Sequence, residues 1–455
     1  MNFTAELREE SNFLVDIYRR FRQKDFAGDT GQAMKNSSYQ LAQNIIYKFG
    51  SLLFTIIIAR LLLPEKMGLY GLALSTIILF ASFSDLGLSQ ALMTFVSKQL
   101  EKHNLQKARA YLNKLIQWKI YLLLIITILL IPSSYLVATF IYSDKPIFFA
   151  LLAGLLYIPT VSLVSFTECF YKAANNFKIP LIKEVLFQVL RFTIVPLIIL
   201  LSINKDLSGQ KIIFATLLSL VLAYFISLIY LLIKSKRLSS FSESNKSHLT
   251  KTENIELRKF IIPLSATAMA GMFFGYIDTI MLGYYVSSSY IAYYGAAFSL
   301  VGGVTSIIGF MSISLMPIFA RKDGKALRRI FKKTKYLTLL ISTSAGIFTY
   351  FVAEQVVRII YGIEYIQASN VLKIFSLLII LLPVLAIYIS YFTSQKRTKE
   401  LALLTLISSF LNILFNFVGI TYGLTFGPMG AVYGACIATI LSRVVYLAGL
   451  MFLRK

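Results

Sequence analysis

Twelve stretches of this chain are apolar for long enough to cross a membrane, and nothing else constrains its fold as strongly. They run at about 39–61, 69–96, 113–137, 146–169, 179–203, 210–233, 259–284, 291–318, 334–357, 367–392, 399–421 and 427–452. A hydrocarbon core about 30 Å thick takes about 20 helical residues. Backbone N–H and C=O groups find no water there, so each stretch is expected to be a helix that satisfies its own hydrogen bonds. Hydrophobic residues make up 57% of the 455, against roughly 45–50% in a soluble domain. No polar block is long enough to fold as a separate soluble domain. The expected class is an all-α integral membrane protein of about twelve transmembrane helices.

The chain also repeats itself. Residues 54–98 return without a gap 224 positions later, with 9 identities in 45. Thr55 and Ile56 fall on Thr279 and Ile280; Tyr70, Gly71, Ala73 and Ser75 fall on Tyr294, Gly295, Ala297 and Ser299. Ser82, Phe95 and Lys98 fall on Ser306, Phe319 and Lys322. Each copy holds six helices. Six is even, so both copies enter from the same side and the pseudo-two-fold axis runs along the membrane normal, as in parallel-repeat transporters. The expected divisions are an extension over 1–38, an N-lobe over 39–233, a flexible Lys- and Ser-rich linker over 234–258 and a C-lobe over 259–455. In the extension, Leu7, Phe13, Leu14, Ile17, Tyr18 and Phe21 recur at helical spacing with Arg19, Arg20 and Arg22 around them. That reads either as an amphipathic helix on the inner leaflet or as a frayed tail.

A net charge of +24 could suggest nucleic acid, but its placement argues against that partner. Lys98, Lys102, Lys107 and Arg109, and then Arg321, Lys322, Lys325, Arg328, Arg329, Lys332 and Lys333, crowd loops on one side. Loops of the other side carry little beyond Lys66, Lys145 and Lys205. This is the positive-inside bias, which puts both termini in the cytoplasm and makes anionic membrane lipids the partner of most of the charge. No signal-peptide pattern opens the chain. Cys169 and Cys436 lie in or at apolar spans, and His103 and His248 are far apart in loops, so no disulfide, metal or cofactor site is expected. No G-x-x-x-x-G-K-[ST] loop occurs, so ATP hydrolysis is not expected.

Polar residues at helical spacing inside apolar spans mark an inward face. Asn44, Lys48, Ser51 and Thr55 form such a stripe in the first span; Gly71, Ser75, Ser82, Asp85 and Ser89 form one in the second. Ser265, Ala268, Gly271, Gly275 and Asp278 do so in the seventh, and Thr405, Ser409, Asn412 and Asn416 in the eleventh. Stripes of small residues alone point to helix packing. Those holding Lys48, Asp85 or Asp278 point to a cavity, because an ion in a dry packed interface is costly. Arg191 stands mid-span on a face with Glu184 and Gln188; it either forks onto a phosphate or closes an internal network with those two. Asp278 and Asp85 are candidate ion-coupling residues, with Asp278 paired to a cation such as Arg60 as the alternative. Lys119, Glu168, Glu354 and Arg358 lie near span ends, where side chains snorkel. Pro159, Pro196 and Pro383 are expected to kink their helices.

Three stretches carry a family resemblance. Ala59-Arg60-Leu61-Leu62-Leu63-Pro64-Glu65-Lys66-Met67-Gly68-Leu69-Tyr70 with Ser84-Asp85-Leu86-Gly87-Leu88-Ser89 resembles the A-R-L-L-G-P-E-x-x-G-x-Y and D-L-G-L-S pattern of the polysaccharide-synthesis, or oligosaccharide flippase, family. Asp278-Thr279-Ile280-Met281-Leu282-Gly283-Tyr284 is similar to its D-x-x-x-L-G-Y. Asn412 and Asn416, followed by Gly427 to Thr439, resemble its N-x-x-x-N and G-x-x-G-A-A-x-A-T. Leu63 departs from the pattern, which usually has Gly there. The resemblance implies the multidrug/oligosaccharidyl-lipid/polysaccharide (MOP) exporter superfamily, MATE-like in form: two six-helix lobes around a cavity open alternately to each side. It implies a polyprenyl-diphosphate-linked oligosaccharide as cargo, flipped from the cytoplasmic to the outer leaflet, with a glycan polymerase or ligase as candidate partner. Lys48, Arg60 and Arg191 would meet the diphosphate; Asn44, Ser51, Thr55, Asn412 and Asn416 would offer hydrogen bonds to sugar. The alternatives are an ion-coupled multidrug antiporter of the same superfamily, a membrane glycan polymerase or ligase, for which the outside loops are too short, and a non-transporting scaffold.

Overall fold

The computed structural model describes residues 28–142, 146–235, 249–321 and 324–454. The extension helix expected near residues 7–21, His248 and Lys322 lie outside the described residues. Everything long is helical, and no strand occurs among the described residues. The first helix, α1 (Gly28–Ser82), doubles back at Leu63, whose φ of 59° and ψ of 168° leave the helical region. Pro64 supplies the reason, since a proline ring crowds the residue before it out of the α conformation. The second arm of α1 then breaks over Phe83–Gly87, with Leu86 at φ 41° and Gly87 at φ 81°. It resumes as α2 (Leu88–Ala91), a π turn (Leu92–Val96) and α3 (Ser97–Glu101). Then come α4 (Leu105–Leu136), α5 (Phe148–Leu152), α6 (Gly154–Ala173), α7 (Lys178–Asn204) and α8 (Gly209–Ser235). The second half contributes α9 (Lys251–Tyr285), α10 (Ser288–Arg321), α11 (Gly324–Ile360), α12 (Ala368–Ser394), α13 (Thr398–Leu424) and α14 (Pro428–Arg454).

Counting both arms of α1, the expected twelve long helices are present. Ten described segments are long and apolar enough to cross a membrane, and one of these, Lys35–Ser82, contains both arms of α1. The remaining helix, α9, carries an apolar run without a charged residue over 260–277. The chain is thus a multi-pass membrane protein. Its outer surface carries the apolar belt lipid requires: Phe140, Leu340, Phe351, Phe410 and Phe452 are all exposed. Pro159, Pro196 and Pro383 sit inside helices that run on through them. Interruptions of the helices fall at Leu63 and at Phe83–Gly87. In the second half, Gly419 meets Gly434 and Gly423 meets Gly430 so closely that a Cβ at any of them would strike the partner's backbone, the small-residue contact that lets two membrane helices touch along their axes.

The two halves, α1–α8 and α9–α14, touch at both ends. On the face of Tyr142 and Tyr365, Tyr365 donates its hydroxyl to the Ala59 carbonyl (3.0 Å) and Tyr142 to that of Ile280 (3.0 Å). Gly68 there leaves no room for a Cβ beside the Ser288 carbonyl. On the opposite, basic face, Lys107 pairs with Glu253 (2.6 Å) and Ser265 donates to the Leu86 carbonyl (2.7 Å). Leu257 and Ile261 of α9 bury themselves there among Leu88, Leu92 and Tyr111.

Candidate functional site

Between these two contact zones lies a cavity of about 360 Å³, walled by both halves. Tyr47, Ser51, Phe54 and Thr55 come from the first arm of α1, Tyr70, Gly71 and Ser75 from the second. Tyr276 and Thr279 of α9, Gly295 and Ser299 of α10 and Tyr361 face them. Among the described residues six tyrosines line the space, with Tyr157 and Tyr224 completing the set, and Arg191 is the one charged lining residue. Two thirds of its lining residues are thus drawn from the repeated stretch: Gly71 and Ser75 have their repeat partners Gly295 and Ser299 across the space. The glycines at 71 and 295 have no atom within 4 Å of where a Cβ would stand, so here they widen the cavity and do not tighten a helix contact.

Arg191 is brought to that wall by α7 and is buried at 6% exposure. Its guanidinium carbon stacks 4.2 Å over the Phe54 ring and 5.1 Å from that of Phe187, a placement that favours the planar cation over an ammonium. Its Nη2 donates to Gln188 Oε1 (2.7 Å), while its Nε is buried with no partner. The chain of contacts continues along α7. Gln188 donates to Glu184 (2.7 Å), Lys183 pairs with Glu184 (2.9 Å) and also with Glu168, and Gln43 donates to Glu168 (3.0 Å). The sequence left Arg191 open between a cavity role and an internal network. The structure builds both: the network holds one edge of the guanidinium and the cavity receives the rest.

A second polar centre lies inside the C-terminal half. Asp278 of α9 is buried and accepts hydrogen bonds from Tyr294 of α10 (2.7 Å), Asn416 of α13 (2.6 Å) and Thr439 of α14 (2.7 Å). Asn412 donates to Ser442 (3.1 Å), and the amide oxygens of Asn412 and Asn416 are buried without a donor. Arg443, one turn past Thr439, lies 3.4 Å over the Phe274 ring. Arg60, the expected alternative partner of Asp278, is elsewhere: it is exposed and forks onto the carbonyls of Ile359 and Ile360. The 224-residue offset sets Asp278 on Phe54 and Tyr294 on Tyr70, so residues of the two centres are repeat partners in the sequence.

The other expected site residues scatter. Ser51 and Thr55 line the cavity, whereas Asn44 and Lys48 do not, and Lys48 is exposed. Asp85 sits at the break in the second arm, where it pairs with Lys119 (3.0 Å) and accepts from Ser89 (2.5 Å). The snorkelling expected of Lys119 is overturned: it is 1% exposed, and Ser84's carbonyl also takes its ammonium (2.9 Å). Glu168 likewise turns inward to the Lys183 network, while Glu354 and Arg358 do pair on the exposed surface (3.2 Å). Sequence reasoning did not single out the tyrosines or Lys183. The repeat flagged Tyr70 and Tyr294; nothing local flagged Tyr157 or Tyr224. Among the described residues no three metal-ligating side chains converge.

A two-lobed helical membrane protein with a central cavity is the architecture of MOP-superfamily transporters, and the comparisons agree. The family described as "Polysaccharide biosynthesis protein" matches residues 33–323, and MatE matches residues 263–418. The chain belongs to the polysaccharide biosynthesis protein family. Among solved structures it is similar to the lipid II flippase MurJ in an inward closed conformation (17% identity, TM-score 0.65, 91% of this chain and 87% of that one). It is similar also to an inward-facing multidrug resistance MATE family transporter of the MOP superfamily (14%, 0.64, 88% and 93%) and to a eukaryotic MATE transporter (13%, 0.58, 92% and 94%). At these identities the likeness is one of fold. No curated protein matches.

Proposed function

We propose that the protein flips a polyprenyl-diphosphate-linked oligosaccharide from the cytoplasmic to the outer leaflet by rocking its two lobes, without ATP and without covalent chemistry. The observation that carries this is the central cavity: among the described residues Arg191 is its one charged lining residue, with an unpartnered Nε, among six tyrosines. A guanidinium suits a diphosphate. Tyrosine rings and hydroxyls suit sugars, which bind by stacking and many modest hydrogen bonds. The absence of a lining carboxylate among the described residues disfavours an organic-cation antiporter. The likeness to the lipid II flippase MurJ supports a flipped, lipid-linked cargo. The lipid tail would stay in the bilayer between the lobes. Arg60 and Lys48, outside the cavity wall, would meet the diphosphate only as it enters or leaves.

Asp278 is the residue proposed to couple flipping to an ion gradient. Three donors and two donorless amide oxygens around one buried carboxylate make a place for a proton or a small cation. The test is the pure protein in liposomes with a labelled polyprenyl-diphosphate sugar. Flipping without ATP is expected; Arg191→Ala should cut it roughly 10- to 100-fold, the worth of one charged hydrogen-bonding group, and Arg191→Lys should restore it only in part. Asp278→Asn should keep binding and lose the response to an imposed pH or sodium gradient. Full flipping by Arg191→Ala would overturn the cavity's role, and a strict ATP requirement would overturn the mechanism.

A further inference from the structure

A second cavity, of about 340 Å³, opens on the basic face where α11 begins and α14 ends. It is lined by Arg328, Lys332, Lys335, Tyr336 and Arg454. None of these residues lines the central cavity. The spacing 328, 332, 335 sets three cations on one face of α11. Arg454 approaches from α14, its guanidinium 3.4 Å over the Phe331 ring, with an Nε that is buried and without a partner. Lys335 stands 5.0 Å over the Tyr336 ring. So four cations share one pocket, and among the described residues no carboxylate lines it to offset their repulsion.

What lies beside the pocket identifies its depth. Immediately along α11, Leu337, Leu340 and Ile341 are exposed, and on α14 so are Met451 and Phe452. The apolar belt therefore starts at the rim of the cations, and Tyr336 sits at that border, where an amphipathic ring settles in a bilayer. A basic pocket between helices at this level faces phospholipid headgroups. We propose that it binds the phosphate-bearing headgroup of an anionic phospholipid in the leaflet on the basic face, with the acyl chains along the exposed belt. A choline headgroup would bring its own cation against four others and is disfavoured. The bound lipid would tie the start of α11 to the end of α14.

Native mass spectrometry of the purified full chain titrated with phosphatidylglycerol, with phosphatidylcholine and with inorganic phosphate tests this. Phosphatidylglycerol should be retained at least about tenfold more tightly than phosphatidylcholine, given the worth of each cation near an anionic headgroup. Arg328→Gln/Lys332→Gln/Lys335→Gln should remove that preference. Lys102→Gln/Lys396→Gln/Lys399→Gln, which deletes as many charges elsewhere on the same face, should keep it. Equal loss in both triple variants would mean diffuse attraction and overturn the site. Displacement of the lipid by inorganic phosphate at equal concentration would make free phosphate the ligand and overturn the lipid assignment. If the first triple variant is not recovered folded, Arg328→Gln and Lys332→Gln alone decide, both side chains being exposed; unchanged retention in both overturns the proposal.

Discussion

Leu63 adopts φ 59° and ψ 168°, a corner of backbone space that is close to glycine-only and costs a side-chain-bearing residue about 1–3 kcal/mol. It is also the position where this chain carries Leu and the family pattern carries Gly. Leu63→Gly is therefore expected to stabilise the protein by about 1 kcal/mol once glycine's own entropic cost is subtracted, measured as a raised Tm in detergent. A lowered Tm would mean that the half-exposed Leu63 side chain contributes more than its backbone costs. The Asp85–Lys119 pair makes the opposite case. Lys119 is buried and Asp85 is not, so Asp85→Asn should strand an ammonium and destabilise by about 3 kcal/mol. Lys119→Met together with Asp85→Asn should recover most of that, a non-additivity that a thermal-unfolding cycle detects. At this scale the sequence was legible in part. Spacing along a helix predicted that Glu184, Gln188 and Arg191 share a face, and they form one chain of hydrogen bonds. Spacing could not tell that Lys119 points inward, because distance from a span end says nothing of rotation about the helix axis.

Between elements, the contact of α4 with α9 is the one most open to manipulation. Thr250 caps α9 in a reciprocal box with Glu253, and Glu253 at the same time takes Lys107 from the other half. Lys107, and then the Thr250 backbone N–H, hold the Glu253 carboxyl below its usual range. A depressed folded pKa contributes stability that is present above the ordinary value of about 4.3 and is lost as pH falls through the folded one. The pair is partly exposed, so it is worth about 0.2–1 kcal/mol. Spin labels at Gln106 and Thr252 should hold their distance from pH 8 to 5.5 and separate below about pH 4. In Glu253→Gln the distance should no longer respond to pH; a persisting response would assign the contact to other groups. None of this was visible in the sequence. The break at Phe83–Gly87 was equally hidden, since the apolar run continues across it and only Gly87 hinted at a left-handed turn.

For the molecule as a whole, the apolar runs and the repeat were enough to predict twelve helices in two halves, because membrane burial forces each run into one helix. They could not predict the cavity, whose walls come from residues up to 314 positions apart, Tyr47 and Tyr361. Orientation rests on loop charge, and impermeant labelling of single cysteines should reach residues 421–427 from outside intact cells and never the 234–258 linker; labelling of the linker would invert the molecule. The equivalence of Phe54 and Asp278 carries one last consequence. The two copies of the ancestral unit have become chemically unlike at the same address: one presents a benzene ring beneath a guanidinium, the other a carboxylate. A protein assembled from two first halves would hold two guanidinium centres and no counterpart of Asp278, and one assembled from two second halves the reverse. Duplication therefore did more here than double a scaffold: a guanidinium faces the chamber between the halves while a carboxylate lies inside the second half, and the halves can no longer stand in for one another.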